Sequence, residues 1–428
     1  MPLELALLCP FQRWESHSQR WRGIEVFPSP LSSLKFLKNV SYLFSPHILK
    51  LRNGSSVLKK VRVAIPLFFS VRKTVDFFVT KKSTVTLCSL DMEKAFDRMN
   101  RSALFLKMMN RRCPLTLINL LDEWFEKSVS AVRWGDFLSD TFVMRSGTRQ
   151  GGVLSPILFS LFVDDVLVKL DELNCGCYIN NICVNSFCYA DDLILLALSL
   201  QDMNRMLAVC KRELDWLDMS LNVNKSSAIR IGERWEKRLP PLVVGDKDIP
   251  WGHELKYLGV VIVAAVKFLV ALHPPKVKFF QSLNAIMGKI GDSQAVGLVL
   301  SLAATNCVPI LLYGLDACSL TNAQLSSLEH AYNAVFFKVF KSFDAHVILN
   351  CQFYTGFLPL RKALDLLKIR FLVNLLADKN SLTGFLCRTV GAEVLRMLRE
   401  KYNIDVTLTH AGIKKRIWEV ITEELGLL

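Results

Sequence analysis

The sequence predicts an α+β fold that passes into an all-helical C-terminal part, and three observations carry the prediction. Thr84–Leu90 is apolar and β-branched and runs straight into residues with helical spacing. Two strand-like apolar runs, Ile182–Tyr189 and Leu193–Leu198, are separated only by Ala190-Asp191-Asp192, the pattern of a tight hairpin. Beyond Lys276 the apolar residues recur every three to four positions. At 428 residues the chain exceeds one ordinary core, so two or three domains are expected.

Taken in order, residues 1–64 stand apart. They hold turn residues (Pro28, Pro30, Asn53-Gly54-Ser55-Ser56), serines and basic residues without a sustained period, which reads as an atypical, poorly ordered basic segment. After the first strand a helix is expected over Met92–Met109, with Phe96, Met99, Ala103, Leu106 and Met109 near one face. Ser155-Pro156 reads as an N-cap followed by a first-turn proline, and the helix it opens carries Ile157, Leu158, Leu161, Phe162, Leu167 and Leu170. The helix after the hairpin buries Met203, Met206, Leu207, Cys210, Leu214 and Leu217. Ala228–Ile231, Leu242–Val244 and Tyr257–Val263 read as short strands. Two later helices present Leu325, Leu328, Tyr332, Val335 and Val339, then Leu360, Ala363, Leu364, Leu367, Phe371 and Leu375. There is no internal repeat or low-complexity tract.

Composition narrows the function classes. A hydrophobic fraction of 51% with 21% charged residues belongs to a globular chain and not a disordered one. The net charge of +14 suits an anionic partner such as nucleic acid, and equally a solvated basic surface. Residues 1–80 hold twelve Lys/Arg and four Asp/Glu, so eight of the excess positive charges lie in the first fifth. The twelve cysteines form no CxxC pair, and Cys175, Cys177, Cys183 and Cys188 cluster without a histidine at zinc-ligand spacing. Free thiols in a reduced compartment are therefore expected, with no disulfide framework and no secretion signal. Leu258–Leu272 and Ala295–Tyr313 are apolar, but Lys267 interrupts one and Asn306 and Pro309 the other, so core elements are expected there and not membrane spans.

Three aspartates stand where a carboxylate is unfavourable without a task. Asp91 ends an apolar strand, and Asp191 and Asp192 are adjacent at the hairpin tip. Neighbouring carboxylates repel, and either a cation or protonation resolves the conflict. Magnesium prefers carboxylate and phosphate oxygens, and two such ions about 3.5–4 Å apart can activate a hydroxyl and stabilise a leaving oxygen. Aspartate is also common in turns, so the pair alone reads as a polar turn as well. Phe162-Val163-Asp164-Asp165 has the same local look as Tyr189-Ala190-Asp191-Asp192. It lies inside a helical repeat, which puts Asp164 and Asp165 on a solvated side, whereas Asp191 and Asp192 interrupt two strands.

Five segments in order carry a family resemblance. They are Leu90-Asp91-Met92-Glu93-Lys94-Ala95-Phe96-Asp97, the run from Gly147-Thr148-Arg149-Gln150-Gly151-Gly152 to Phe159, Tyr189-Ala190-Asp191-Asp192, Asn222-Val223-Asn224-Lys225-Ser226 and Lys256-Tyr257-Leu258-Gly259-Val260. Together they resemble the palm motifs of reverse transcriptases of the non-LTR (LINE-like) retrotransposon type. Val308–Gly314 is similar to a region that follows the start of the thumb in such elements. The resemblance covers roughly residues 65–345. It implies a right-hand polymerase, α+β, with an antiparallel palm sheet and packed helices, incomplete fingers, a helical thumb and a helical C-terminal region. The implied division is an atypical segment at 1–64, a fingers remnant and palm at 65–265, a thumb-like region at 266–345 and a helical region at 346–428.

The resemblance also implies an RNA-directed DNA polymerase that joins a deoxynucleotide to a primer 3′-hydroxyl. Asp91, Asp191 and Asp192 would hold two magnesium ions, or manganese in their place. Phe96 would exclude a 2′-hydroxyl, although it also suits the apolar face of its helix. Arg149, Gln150 and Gly151 would line the template and the incoming base, Tyr189 would belong to the same substrate-binding set, and Lys225 would sit near the triphosphate. Tyr257, Leu258 and Gly259 would form the primer grip, and Lys276, Lys278 and Lys289 would face the duplex. The implied partners are an RNA template, a DNA primer and dNTPs, with no membrane, in the nucleus or the cytoplasm.

One departure matters. Only Ala64–Leu90 looks like the tail of the longer fingers region of the family, with Arg72 and Lys73 as the remnants of its triphosphate cradle, so the chain reads as an N-terminally truncated element. Intact Asp91, Asp191, Asp192 and Lys225 favour an active polymerase. The short fingers favour a catalytically inactive, nucleic-acid-binding remnant. A membrane-embedded protein is the weakest alternative.

Overall fold

Leu193–Ala197 is apolar at consecutive positions and Val85–Cys88 is interrupted only by Thr86, and strands of that kind need cover on both faces. In the computed structural model, which describes residues 22–24, 64–149, 152, 154–290, 296–378, 381–405 and 409–425, the whole architecture follows from that requirement. The chain runs from β1 (Arg22–Ile24) through α1 (Ala64–Thr80), β2 (Val85–Asp91), the single turn α2 (Ala95–Arg98), α3 (Arg101–Asn110) and α4 (Leu115–Glu126). A small antiparallel group follows, β3 (Val129–Trp134), β4 (Phe137–Leu138) and β5 (Phe142–Val143), to which β1 adds by pairing with β3. Next come α5 (Ser155–Glu172), the hairpin β6 (Cys177–Ile179) and β7 (Ile182–Val184), then β8 (Ser186–Tyr189), β9 (Asp192–Ala197), α6 (Leu200–Trp216) and β10 (Ser227–Ile231).

The central sheet is antiparallel in the order β10-β2-β9-β8. Cys88, Leu90, Leu193, Leu195, Ala197 and Ala228 face one core, which α5 and α6 close. Val85, Leu87, Ile194, Leu196, Ile229 and Ile231 face the other. That second core is continuous from Leu67 to Ile421. It takes in α1 and the small sheet β13 (Glu254–Tyr257), β14 (Val260–Val263) and β15 (Leu269–Val270), which follows a hairpin of β11 (Leu242–Val244) and β12 (Lys247–Ile249). It also takes in the helices beyond: α7 (His273–Ile290), α8 (Val296–Leu302), a π-helical turn, α9 (Val308–Leu312), α10 (Asn322–Phe340), α11 (Ala345–Tyr354), α12 (Leu360–Ala377), α13 (Leu382–Leu386), α14 (Ala392–Tyr402) and α15 (His410–Glu424).

Several local expectations change once packing is present. The helix expected over Met92–Met109 is broken at Met99-Asn100, where Asn100 caps α3 by accepting from the Ala103 amide. The break turns Leu104, Lys107 and Met108 inward and leaves Leu106 and Met109 exposed. Ile182–Tyr189 divides at Asn185, whose buried amide donates to the Leu170 carbonyl at 2.9 Å. Tyr257–Val263 is two strands joined by a turn at Leu258-Gly259. Ser155 does not cap α5 with its side chain; its hydroxyl donates to the Arg149 carbonyl at 2.5 Å and closes the preceding loop.

Asp164 is the largest correction. α5 is buried on most sides, so the solvated side expected for Asp164-Asp165 does not exist at Asp164. Asp164 pairs with Arg111 at 2.5 Å, and Asp165 pairs at 2.8 Å with Lys107, which also donates to the Phe162 carbonyl. Arg72 and Lys73 are likewise buried and turned towards the C-terminal half. Arg72 donates to the Ala317 carbonyl at 2.5 Å and to the Ser319 hydroxyl and pairs with Asp76, while Lys73 donates to the Val390 carbonyl. Neither enters a triphosphate cradle.

Among the described residues, one stretch, Val296–Ala317, is long and apolar enough by length and composition to cross a membrane. Its Leu300, Ala303, Cys307, Leu311 and Leu315 form an inward stripe in the second core, and Ser301, Thr305 and Asn306 are exposed. The eleven described cysteines are free thiols.

Replacing Arg111 with leucine strands the Asp164 carboxylate between helices, and removing one partner of a buried pair costs about 3 kcal/mol. Urea denaturation is expected to show a lower midpoint with an unchanged slope. A midpoint equal to the parent's contradicts the pairing.

Candidate active site

The register of the central sheet assembles the acidic residues. β2 and β9 are antiparallel with Asp91 opposite Asp192, and β8 and β9 pair Tyr189 with Asp192 across the two-residue turn Ala190-Asp191. Ala190 sits at φ +54, a left-handed conformation that costs an L-residue roughly 1–2 kcal/mol, and the tightness of the turn imposes it. Cys188 supports the turn by donating its thiol to the Ala190 carbonyl at 3.3 Å. Asp91 and the adjacent pair Asp191-Asp192, about a hundred residues apart, thereby stand at one end of the sheet.

The segment 222–226 is bolted to the end of β2. The Asn222 amide donates to the Asp91 carbonyl at 2.8 Å, and the Asp91 amide donates to the Ser226 hydroxyl at 3.2 Å. Ser226 passes its own proton to the Asn222 carbonyl at 2.8 Å. This places the Lys225 ammonium 4.0 Å from the Asp91 carboxylate, with 70% of the side chain exposed. Asp91, Asp191, Asn222, Lys225, Lys94 and Phe96 line a common cavity of about 660 Å3. The Phe96 ring is half-buried against Phe159, with centroids 4.8 Å apart.

The run beginning at Gly147 docks on the turn α2. Thr148 donates its amide to the Phe96 carbonyl at 2.8 Å and Gly147 donates to the Met99 carbonyl at 2.9 Å. Gly147 has φ +77, and a Cβ there would lie 2.5 Å from the Asp97 carbonyl oxygen, so no other residue permits this approach. Arg101 fastens the run leading into Gly147 and ties it to α4, donating to the carbonyls of Phe125, Met144, Ser146 and Gly147.

The electrostatics are those of a crowded acidic site. Burial first, then Asp191 and Asp91, pushes the Asp192 carboxyl up to about 6, against the pull of Lys256. Burial also raises Asp91; Lys225 opposes that shift, and Asp191 and Glu93 add to it. Among the described residues no three Asp, Glu, His or Cys side chains close into a metal-holding group. The donor chemistry nevertheless fits a hard divalent cation, because three carboxylates at adjacent backbone positions repel until a cation draws them together.

Asp91, Asp191, Phe96 and Lys225 thus come together around the cavity, with Asp192 paired beside Asp91 and Tyr189 opposite Asp192. Arg149 is exposed in the loop that leads into α5; Gln150 and Gly151 lie outside the described residues. Tyr257 and Leu258 are buried, and of the three residues of that turn only Gly259 is exposed. Sequence reasoning missed Asn222 and Lys94 as cavity residues and Arg101 as the clamp. Lys94 was discoverable, since it lies inside the first motif; the role of Arg101 rests on four carbonyls that no local pattern reveals.

A family described as reverse transcriptase (RNA-dependent DNA polymerase) matches residues 31–262. The chain is 27% identical over 186 residues to the Retrovirus-related Pol polyprotein from type-2 retrotransposable element R2DM of Drosophila melanogaster, which covers 42% of this chain and 18% of that protein. It is 24% identical over 303 residues to the probable RNA-directed DNA polymerase from transposon BS of Drosophila melanogaster, covering 65% and 30%. It is 25% identical over 194 residues to the RNA-directed DNA polymerase from mobile element jockey of Drosophila funebris, covering 44% and 20%. The chain spans less than a third of the length of these relatives. Among solved structures, apo telomerase from Candida tropicalis aligns over 90% of this chain and 60% of its own, with 12% identity and a TM-score of 0.39.

Two outcomes are expected. The carboxyl of Asp192 holds its proton to about pH 6 when folded and to about 3.9 when unfolded, so stability falls as pH rises between those values and stays lower above them. Asp192→Asn should therefore raise the stability of the cation-free protein by about 1–2 kcal/mol at pH 7.5, after discounting for solvent screening, and leave it unchanged at pH 4, as read by thermal melts. Gly147→Ala should cost about 2 kcal/mol or more in the same melts, because the left-handed φ and the Asp97 carbonyl both reject a Cβ.

Proposed function

We propose that this chain, which belongs to the reverse transcriptase (RNA-dependent DNA polymerase) family and is of the non-LTR retrotransposon type, copies RNA into DNA by extending a primer 3′-hydroxyl with dNTPs. The observation that carries the proposal is the pairing of Asp91 with Asp192, beside Asp191, at the edge of a cavity that also holds Phe96 and Lys225. The central sheet with α5 and α6 serves as the palm. The division into a fingers remnant and palm at 65–265, a thumb-like region at 266–345 and a helical region at 346–428 belongs to the same proposal.

Asp91, Asp191 and Asp192 would hold two magnesium ions, or manganese, and the bound ions would supply the Lewis acidity that lowers the barrier to phosphoryl transfer. The chain's own residues then position and neutralise, which is most of what such a reaction needs. Lys225 projects its ammonium over the cavity beside Asp91, where it offsets triphosphate charge and offers a proton to the leaving pyrophosphate. Phe96, whose ring packs against Phe159, would be the side chain that excludes a 2′-hydroxyl. Arg149, Gln150 and Gly151 would line the template and incoming base, Tyr189 would belong to the same substrate-binding set, and the turn at Tyr257, Leu258 and Gly259 would form the primer grip.

A second reading, a nucleic-acid-binding remnant without catalysis, is favoured by one observation: Arg72 and Lys73 are engaged with residues 317–390 and are withdrawn from any triphosphate. Primer extension on poly(A)/oligo(dT) with magnesium separates the two. Incorporation that disappears in Asp191→Asn supports the polymerase. Duplex binding by the parent with no incorporation sinks that reading in favour of the remnant. In an active parent, Phe96→Ala should raise ribonucleotide use relative to deoxynucleotide use by about tenfold or more, because a clash and not a hydrogen bond enforces the discrimination.

A further inference from the structure

The turn between β13 and β14 needs an outside support. Leu258 at φ +48 and Gly259 at φ +82 are consecutive left-handed residues, a geometry that suits a two-residue hairpin but that leucine adopts reluctantly. Such a conformation persists where its surroundings over-determine it.

The surroundings are residues 313–319. The Tyr313 hydroxyl donates to the Leu258 carbonyl at 3.1 Å. The ring of Tyr313 lies so close to Gly259 that a Cβ there would stand 3.1 Å from its Cε1 atom. Gly314, at φ +74, lies against Val260, where a Cβ would come within 2.8 Å of the valine Cγ2 atom. The far end of the same segment is fixed by α1: Arg72 donates to the Ala317 carbonyl and the Ser319 hydroxyl, and the Cys318 thiol closes the loop onto the Gly314 carbonyl at 3.2 Å. Buried Arg72, withdrawn from the cavity, thus has a task after all.

The Tyr313 hydroxyl is raised above the ordinary tyrosine value by burial first, then by Tyr189 and Asp316. With 47% of its surface exposed, Tyr313 stands against the Leu258-Gly259 turn and is not sealed within a core.

We infer that Tyr313 is a positioning residue: it ties the Leu258-Gly259 turn to an Arg72-anchored strap, and so sets where that turn holds a primer end relative to Asp192. The inference rests on the polymerase reading for its substrate, but its geometry is independent of any chemical step. Tyr313 does not touch the reacting atoms; it acts through the Leu258 carbonyl.

The test uses the full chain and Tyr313→Phe, which keeps the ring against Gly259 and removes only the hydroxyl. Equilibrium binding of a primer–template duplex is measured first, without nucleotide. The variant should bind about fivefold more weakly, the factor given by one hydrogen bond of ordinary strength. In primer extension KM for the duplex should rise by a similar factor, while KM for dNTP stays unchanged and the melting temperature stays within about 2 °C of the parent. Gly259→Ala pushes on the same ring, so the double variant should lose less than the two single losses combined. Unchanged duplex binding in Tyr313→Phe overturns the inference, and so does weakening that follows a fall in melting temperature or strikes dNTP equally. Absence of incorporation by the parent defeats the polymerase reading alone, because the duplex-binding comparison still decides the role of Tyr313.

Discussion

The antiparallel register that sets Asp91 opposite Asp192 is the constraint on which the rest of the molecule depends. Side chains in a sheet alternate with a period of two, so a slip of one residue would send every apolar side chain of β2 to the wrong face and carry Asp91 away from Asp192. The register is held by burial on both faces: Leu87 and Ile194 belong to one core, Leu90 and Leu193 to the other. Hydrophobic packing that could not itself distinguish one carboxylate from another thereby places two of them side by side.

That placement works against stability. Asp192 is raised to about 6 and Asp91 is raised as well, both chiefly by burial and both in the company of like charge. A strained Ala190 completes the turn between Tyr189 and Asp192. Tension gathered in a few residues at one end of an otherwise well-packed sheet is what a functional site looks like, since the surrounding cores over-determine a geometry the local sequence would relax. The supports, Asn222 and Ser226 on the backbone of Asp91 and the Arg101 guanidinium on the carbonyls of the segment up to Gly147, keep it from relaxing.

The basic residues divide by environment in a way that charge counting does not reveal. Lys225 stands exposed at the cavity, whereas Arg72, Lys73 and Lys107 are buried and serve carbonyls or carboxylates within the fold. α1 joins its sheet face to the helices beyond residue 273 through a single continuous core. The segment expected to line a nucleotide pocket instead anchors the C-terminal half, and through residues 313–319 it reaches back to the turn at Leu258.

The sequence alone determined the parts that depend on local pattern. The strands around the aspartates, the buried stripe of α6 and the order of the five motifs are legible because apolar periodicity and turn residues are local signals. It also singled out Asp91, Asp191, Asp192, Phe96 and Lys225, which the fold brings to one end of the sheet. Only the tertiary structure decided which charges are exposed. Asp164-Asp165 and Asp191-Asp192 look almost alike in local sequence, and what separates them is that α3 brings Arg111 and Lys107 into ion pairs with α5, whereas among the described residues no Lys or Arg forms an ion pair with Asp191 or Asp192. The break at Asn100, the turn inside 257–263 and the inward aim of Arg72 are of the same kind. The last two are set by partners 55 and 245 residues away, and the free energy of burial and pairing at those contacts exceeds the small local preferences that a sequence displays.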